Sequence, residues 1–219
     1  MPDQPDDLIW SDRGVPISAR FDDPYYSLDD GWAETQHVFL AGNDLPARFE
    51  RGFQIAELGF GTGLNAAAAL RAWRDACVAG TLRFTSFELY PLVPDAVETA
   101  LSKFPDLSSE AHDVTRALAG HVVPDLQLEV IAGDARDTLA RWQGAADAWF
   151  LDGFSPAKNP ELWEPQLLAD IGRHTAPNGT FATYTAAGAV RRALQDAGFL
   201  VERRPGFGRK RHMSVGRLP

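Results

Sequence analysis

The stretch that decides the fold is residues 55–65, which read IAELGFGTGLN. An apolar, strand-like run that is interrupted by Glu57 opens here into three glycines, Gly59, Gly61 and Gly63. A helical pattern begins directly after them, at Leu64. Glycine lets the backbone come close to a ligand and take positive φ angles. The stretch therefore predicts a ligand-binding loop at the carboxyl end of a strand, as in the first βα unit of an open α/β sheet.

Strand-like and helix-like segments alternate along the rest of the chain, which predicts a mostly parallel sheet covered by helices. The predicted strands are 53–58, 82–88, 126–132, 146–152, 180–185, 199–204 and 210–216, and the predicted helices are 64–77, 94–104, 135–142, 161–174 and 187–197. Only PGFG separates the last two strands, so they pair antiparallel or not at all. We predict an α/β core over residues 51–219. Residues 1–50 are predicted to form a small N-terminal extension, with an irregular β-hairpin at 8–30 and a helical segment at 31–40.

Composition limits the function classes. The 219 residues carry a net charge of −9, and no apolar run is long enough for a membrane span. The acidic start, MPDQPDDLIW, lacks a signal sequence, which predicts a cytoplasmic protein. The single Cys77 indicates a reducing compartment, and the five histidines show no metal-ligand spacing, so no metal site is expected. Residues 191–219 differ, since they hold eight Lys or Arg against two acids. This block is either a solvated face or a contact for an anion.

Two cofactor classes fit the glycine loop. The glycines at 61 and 63 with Ala66 match the G-x-G-x-x-A pattern of dinucleotide sites. Glu57 with the three glycines matches the E-x-G-x-G-x-G loop of class I S-adenosylmethionine-dependent methyltransferases. A carboxylate would repel a pyrophosphate, whereas S-adenosylmethionine carries a sulfonium and an ammonium. Glu57 therefore favours the methyl donor, and we predict that Leu64 and Asn65 also belong to its site.

Acids also stand at the ends of the next predicted strands. Glu88 ends the strand 82–88 and can accept hydrogen bonds from ribose hydroxyls. Asp134 either accepts from the adenine amino group, as in resembling methyltransferases, or caps the helix that starts at residue 135. Asp152 follows an apolar strand, and we predict that it faces the transferred methyl group. The next segment carries Phe154, which is followed by Pro156 and Pro160, and it predicts a rigid substrate wall.

Longer stretches make a resemblance specific. The chain resembles the methyltransferase part of the bacterial MnmC family, which modifies the wobble uridine of certain tRNAs. The matching stretches are FDDPYYS (21–27), ETQHVFLAGN (34–43), ELGFGTGLN (57–65), DAWFLDGFSPAKNPELW (147–163) and RRPGFGRKRHM (203–213). The resemblance implies a Rossmann-like class I methyltransferase fold, whose mostly parallel seven-stranded sheet has a C-terminal antiparallel strand. It also implies methylation of 5-aminomethyl-(2-thio)uridine at tRNA position 34 to the methylaminomethyl form.

The resemblance also implies roles for single residues. Asp152 would orient the acceptor amine or take its proton. A splayed-out base would stack on Phe154, Tyr25 or Tyr26, and at least one of the two tyrosines is expected to pack in the core instead. Phosphates of the tRNA anticodon loop would contact five residues of the basic block, which are Arg203, Arg204, Arg209, Lys210 and Arg211. Lys158 would reach either a phosphate or solvent.

Three alternatives stay open. A methyltransferase for a small-molecule amine would use the same cofactor loop and leave the basic block as a solvated face. A dinucleotide-dependent oxidoreductase is disfavoured by Glu57. An RNA-binding module with a degenerate cofactor loop is weakly supported, since the loop's acids and glycines are intact. In bifunctional MnmC members a flavin-dependent oxidase module follows the methyltransferase. This sequence shows no second dinucleotide motif, so it resembles a stand-alone methyltransferase or a fragment of a longer protein. FAD is not expected, which leaves room for a separate oxidase or another tRNA-modifying enzyme as partner.

Overall fold

The computed structural model describes residues 8–12, 14–28 and 30–219. The first seven residues, which form most of the acidic N-terminus, lie outside these ranges, as does Arg13 in the turn of the predicted hairpin. A small antiparallel sheet comes first, formed by β1 (Leu8–Trp10), β2 (Pro16–Ser18) and β3 (Asp23–Pro24). This confirms the hairpin that was predicted for residues 8–30.

Seven strands form the main sheet. They are β4 (Gln54–Leu58), β5 (Leu82–Glu88), β6 (Leu126–Ala132), β7 (Ala146–Leu151), β8 (Thr175–Thr183), β9 (Leu200–Pro205) and β10 (His212–Arg217). Their order is β6-β5-β4-β7-β8-β10-β9. The pairs among β4 to β8 are parallel, and β10 is antiparallel to both of its neighbours. The class I methyltransferase fold with one antiparallel strand near the C-terminus is thereby confirmed.

The helices cover this sheet. They are α1 (Gly31–Thr35), α2 (Leu64–Asp75), α3 (Pro94–Leu101), α4 (Ser108–Leu118), α5 (Ala135–Thr138), α6 (Pro165–Arg173) and α7 (Gly188–Asp196). In the described part of the chain, five short turns accompany them: a π-helical turn at Gln36–Leu40, and 3-10 turns at Ala41–Asn43, Pro105–Leu107, Leu139–Arg141 and Pro160–Trp163. Within the described ranges, no helix is long and apolar enough to cross a bilayer, and no three His, Cys, Asp or Glu side chains are grouped as metal ligands.

The core has two layers, one on each face of the sheet. Successive strand residues point to opposite faces, so Ile55 belongs to one buried cluster and Ala56 to the other. In β7, Phe150 and Trp149 divide in the same way. Four consecutive alanines of α2, residues 66–69, are fully buried, and their small size lets the helix pack close to the sheet. This close packing holds the amino end of α2 over the end of β4.

Asn43 ties the N-terminal segment to the sheet. Its Nδ2 donates to the carbonyl oxygens of Phe39 (2.9 Å) and Trp149 (3.2 Å), and its Oδ1 accepts from Thr180 Oγ1 at 2.6 Å. Asn43 is fully buried, so these hydrogen bonds replace the water that its amide loses. The segment after α1 thus packs on the core, while a domain division at residue 50 stays a prediction.

Two elements differ from expectation. Helix α4 was not predicted, because it buries few apolar side chains and its buried Glu110 pairs instead with Arg74 at 3.1 Å. Strand β8 begins at Thr175, five residues before the predicted start. Its first residues, TAPNG, contain a proline, a glycine and Asn178 at φ +62°, which together read as a loop. A register shift against β7 accommodates this irregular part.

Candidate functional site

A cavity of about 1240 Å³ opens at the carboxyl ends of the parallel strands. The strand order reverses between β4 and β7, because the chain moves outward to β5 and β6 and then returns across β4. Such a reversal separates the loops above the sheet and creates a ligand crevice. The glycine loop, the loop after β7, the loop after β8, the loop before β10, helix α1 and the small N-terminal sheet all contribute to the wall.

Gly59 lets the ends of β4 and β7 come together. Its φ is +87°, and a Cβ atom on it would lie 2.8 Å from the carbonyl oxygen of Asp152. The backbone N–H of Asp152 in turn donates to the carbonyl oxygen of Leu58 at 3.1 Å. A side chain at position 59 would therefore push the Asp152 backbone away. Position 59 therefore needs a glycine for the packing of the two strands as well as for the access of a ligand to the loop.

Asn65 connects two carboxyl groups at the floor of the crevice. Its Nδ2 donates to Glu57 Oε1 at 2.9 Å and to Asp152 Oδ2 at 2.7 Å. The second oxygen of Glu57 accepts from Ser86 Oγ at 2.7 Å. Glu57 is fully buried below the cavity wall, while Asp152 and Asn65 line the wall. Glu57 therefore acts on the cavity through Asn65 and through its charge.

Thr35 of α1 sets the orientation of the Asn65 amide. Thr35 Oγ1 donates to Asn65 Oδ1 at 3.0 Å, so the amide nitrogen is the end that faces the two carboxyl groups. Helix α1 itself begins at Asp30, whose carboxylate accepts from the backbone N–H of Ala33 at 2.9 Å. A capped helix thus holds Thr35 in place, and Thr35 fixes the polar group between the acids.

Burial raises the pKa of both carboxyl groups. It raises the pKa of Glu57 from 4.5 to about 8, against the opposing hydrogen bonds from Asn65 and Ser86. The pKa of Asp152 lies well above its ordinary value because of burial and then because of the charge of Glu57. The negative charge of either group favours the protonated form of the other, so a positive charge bound nearby would stabilise the ionised form of both.

Glu88 lies on the cavity wall at the end of β5, where the sequence placed it. Its Oε2 accepts from the backbone N–H of Gly61 at 3.2 Å, and its Oε1 accepts from that of Tyr90 at 2.8 Å. Burial raises its pKa, while these backbone donors lower it. Each carboxylate oxygen keeps a lone pair for a further donor. The geometry is compatible with the predicted contact to ribose hydroxyls, which stays a prediction.

Asp134 caps helix α5, as one of its two sequence interpretations proposed. Its carboxylate accepts from the backbone N–H of Arg136 at 2.9 Å and forms an ion pair with the Arg136 side chain at 2.6 Å. The hydrogen bond from Arg136 lowers the pKa of Asp134. Both residues line the cavity. A contact with adenine would have to share Asp134 with Arg136, so that role stays a prediction.

An aromatic group forms the outer wall. The Phe154 ring lies 4.8 Å from that of Phe21 and 5.2 Å from that of Tyr25, measured between centroids. Tyr26, in contrast, packs on Phe104, and its buried hydroxyl has no hydrogen-bond partner among the described residues. Tyr26 lines the cavity together with Phe154 and Tyr25, while its ring packs on Phe104.

Lys158 is held close to the small sheet. Its Nζ contacts the backbone carbonyl of Asp22 and lies 3.4 Å from Asp23 Oδ1. The backbone N–H of Ser155 also donates to Asp23, at 3.0 Å. These contacts fasten the loop after β7 to the N-terminal sheet, so Lys158 lines the cavity with its charge already paired.

The five residues of the basic block separate into two groups. Arg209 and Lys210 line the cavity. Lys210 Nζ donates to Glu34 Oε1 at 2.9 Å and lies 3.9 Å from the centroid of the Tyr184 ring. The others lie away from the cavity wall, on β9 or beside it, and are Arg203, Arg204 and Arg211. Arg204 forms ion pairs with Asp44 at 3.7 Å and Glu202 at 3.4 Å.

Four residues of the site escaped the sequence interpretation. They are Glu34, Thr35, Ser86 and Tyr184. Tyr184 directly follows the carboxyl end of β8, and this position is a usable signal in an α/β sheet. The other three act through partners that are distant in sequence. Glu34 and Thr35 lie in the stretch 34–43 that carries the family resemblance, but no local pattern gives them a role.

The chemistry of the wall fits S-adenosylmethionine. This donor carries two positive charges, and the inner wall presents the carboxyl groups of Glu34, Glu88 and Asp152. Burial raises the pKa of Glu88 and Asp152, so a bound positive charge would stabilise the ionised form of both carboxyl groups. Gly61 at φ +52° keeps the loop free of a side chain beside Glu88. A dianionic pyrophosphate would find repulsion in the same place.

Comparison with known proteins agrees with this chemistry. A family model described as S-adenosyl-L-methionine-dependent methyltransferase matches residues 95–219. The chain is 46% identical over 222 residues to the "tRNA 5-methylaminomethyl-2-thiouridine biosynthesis bifunctional protein MnmC" of Caulobacter vibrioides, which covers 96% of this chain and 38% of that protein. It is 44% identical to the protein of the same name from Chromohalobacter salexigens, over 98% of this chain and 33% of that one. The chain thus spans about a third of the length of these relatives.

Solved structures show the same fold. The crystal structure of MNMC2 from Aquifex aeolicus superimposes with a TM-score of 0.80 at 26% identity, over 99% of this chain and 72% of that one. Streptomyces venezuelae DesVI gives a TM-score of 0.52 at 14% identity over 86% of this chain and 92% of that one, and this likeness concerns the fold alone. The matched family model covers more than half of the sequence and includes the loops after β6, β7 and β8. The chain therefore belongs to the S-adenosyl-L-methionine-dependent methyltransferases.

Proposed function

We propose that this chain transfers a methyl group from S-adenosylmethionine to the amine of 5-aminomethyl-(2-thio)uridine at wobble position 34 of tRNA, giving the 5-methylaminomethyl form. The observation that carries the proposal is the position of Asp152. Its carboxyl group lies at the end of β7, between the glycine loop and the loop that holds Arg209 and Lys210. The names of the relatives, which refer to biosynthesis of this nucleoside, support the choice of acceptor.

S-Adenosylmethionine supplies an electrophilic methyl group when bound. The protein's own contribution is to position the amine and to remove its proton, because a protonated amine has no lone pair. Asn65 fixes one oxygen of Asp152, Oδ2, at 2.7 Å. The raised pKa of Asp152 makes its carboxylate a stronger base than an ordinary aspartate. We propose that Asp152 orients the amine and accepts its proton.

The donor would be held by the floor and inner wall of the crevice. We propose Gly59, Gly61, Leu64, Asn65 and Glu88 for this task. Asp134 is a further candidate. Gly63 and Glu57 would act from behind the wall, since neither lines the cavity.

The acceptor would enter from the aromatic side. We propose that Phe154 and Tyr25 receive the splayed-out base, since single-stranded loops can present an unstacked nucleotide at low cost. Arg209 reaches the cavity and is proposed to contact a phosphate. Arg203, Arg204 and Arg211 lie farther out, where they would meet the flanking anticodon stem-loop. The reaction needs a free aminomethyl group, and we propose that an oxidase or another tRNA-modifying enzyme in the cytoplasm supplies it.

The test uses labelled donor and tRNA from a strain that lacks the modification, followed by mass spectrometry of the nucleosides. We expect label in 5-methylaminomethyl-(2-thio)uridine. We expect Asp152→Ala to abolish transfer while S-adenosylmethionine still binds, measured by calorimetry, and Asp152→Asn to show whether the charge is needed. Unchanged turnover of Asp152→Ala would refute the role of this residue.

One observation favours a second candidate. Of the basic block, three arginines lie away from the cavity wall and Lys210 is already paired with Glu34. A methyltransferase for a small-molecule amine would need no more positive charge than this. Label found only in added small amines, and none in tRNA, would select this alternative.

A further inference from the structure

An ammonium group already lies on the cavity wall. It belongs to Lys210, whose Nζ is 2.9 Å from Glu34 Oε1 and 3.9 Å from the centroid of the Tyr184 ring. Glu34 is 8% exposed, and Tyr184 is fixed because its hydroxyl donates to the carbonyl oxygen of Gly153 at 2.7 Å. A buried carboxylate and an aromatic face together form a strong site for a cation. Lys210 shows which kind of group this pair binds.

The pair lies within electrostatic reach of Asp152. The charge of Glu34 contributes to the raised pKa of Asp152, and the charge of Lys210 opposes it. Asn65 donates to Asp152 Oδ2 at 2.7 Å. Glu34 and Asp152 line the same cavity, so an ammonium beside Glu34 shares that cavity with the proposed methyl-transfer position.

A ligand's ammonium can displace Lys210 from Glu34 without changing the net charge of the site. Its side chain is 46% exposed and comes from the short loop between β9 and β10. If a ligand's ammonium replaces that of Lys210, the charge beside Glu34 is unchanged. The buried carboxylate then stays paired throughout, so the exchange avoids the cost of an uncompensated buried charge. Departure of Lys210 alone would carry that cost.

We propose that Glu34 and the Tyr184 ring bind a primary ammonium group of a ligand, and that Lys210 occupies this position until the ligand arrives. The inference deepens the proposed function, because both of its reactants, methyl donor and acceptor amine, carry such a group. We expect the acceptor to be the ligand, since Lys210 comes from the loop that the proposed tRNA contact uses. Glu34 is then a specificity-determining residue that selects a ligand with an ammonium group over one with a neutral group.

The first experiment needs no methyl transfer. Ethylammonium chloride is titrated into Lys210→Met and into the double variant Glu34→Gln/Lys210→Met, and the melting temperature is followed against sodium chloride at equal ionic strength. We expect ethylammonium to raise the melting temperature of Lys210→Met and to leave the double variant unchanged. Lys103→Met, which removes an exposed lysine outside the cavity, should behave like the wild type, where Lys210 still competes. Equal shifts in the single and double variants would overturn the proposal.

The second experiment identifies the ligand. The dissociation constant of S-adenosylmethionine and the KM of an aminomethyluridine-containing anticodon stem-loop are compared for the wild type, Glu34→Gln and the exposed control Glu50→Gln. Loss of one charged hydrogen bond corresponds to about a tenfold to hundredfold change. A higher acceptor KM with unchanged donor affinity assigns the site to the acceptor, and weaker donor binding assigns it to the donor's ammonium. No change in either constant would contradict the proposal.

The two proposals fail separately. If no tRNA is methylated, the ethylammonium titration and the donor affinity still report on the ammonium site. If Glu34→Gln changes neither constant while the wild type methylates the stem-loop, the ammonium site is wrong and the proposed function stands.

Discussion

The replacement Glu57→Gln tests the electrostatics of the crevice floor. Burial raises the pKa of Glu57 from 4.5 in an exposed chain to about 8 in the folded protein. A group that binds its proton more tightly when folded stabilises the fold below its unfolded pKa, and this contribution is lost as the pH rises through its folded pKa. At 1.36 kcal/mol per pKa unit, the loss between about pH 4.5 and pH 8 is roughly 5 kcal/mol. Glutamine keeps the shape and the hydrogen bond from Asn65 but does not ionise.

The assay is chemical unfolding at pH 5, 7 and 8.5. We expect Glu57→Gln to approach the wild type at pH 5 and to be more stable by several kcal/mol at pH 8.5. Asp152 is present in both proteins, so the difference reports on Glu57, apart from the lower pKa that Asp152 gains when its charged neighbour is removed. The exposed control Glu50→Gln should show no such pH-dependent gain. A stability difference that stays constant from pH 5 to 8.5 would refute the reasoning.

Three further changes test packing and binding. Gly59→Ala should destabilise the fold by about 1–3 kcal/mol, because its Cβ would lie 2.8 Å from the Asp152 carbonyl oxygen. Gly52→Ala controls for backbone strain, since Gly52 has a similar φ and a Cβ there would meet no atom within 4 Å; equal losses of stability in the two variants would contradict the clash. Asn43→Ala should lower the free energy of unfolding by about 3 kcal/mol in urea titrations, because three buried hydrogen bonds are lost. A loss below about 1 kcal/mol would contradict the stabilising role of these hydrogen bonds. Arg209→Glu should weaken tRNA binding and flatten its salt dependence, unlike Arg116→Glu on α4; identical salt slopes would exclude Arg209 from the interface.

The main sheet was predictable where the strands are apolar and end at turn residues. β5 and β6 occupy the predicted ranges 82–88 and 126–132, and the antiparallel pairing of β9 with β10 followed from the short connection. Helix α4 was hidden because its main anchor is an ion network: Arg74 binds Glu110, Asp113 and Asp125 at 2.7–3.1 Å. Acids that bind an arginine do not register as a hydrophobic stripe.

The site was predictable as a set of strand ends but not as a network. Glu88, Asp134 and Asp152 stand where parallel strands end, so their approach to one crevice followed from the fold. The contact of Asn65 with Asp152 joins residues 87 positions apart, and Thr35 reaches Asn65 across 30 positions. Such contacts depend on how α1 and α2 pack on the sheet, which no local pattern specifies.

Glu57 acts on the ligand differently from the way the sequence suggested. The sequence suggested that Glu57 faces the ligand and repels a pyrophosphate directly. It lies below the wall instead, and both of its oxygens accept hydrogen bonds from protein side chains. Its effect is nevertheless of the same sign, because interactions between charges are screened less in the interior than in water. A cation in the crevice favours the ionised forms of Glu57 and Asp152, and their ionisation in turn strengthens cation binding. Affinity for a cationic donor is therefore coupled to proton release from the floor, whereas an anionic ligand would have to keep both carboxyl groups protonated.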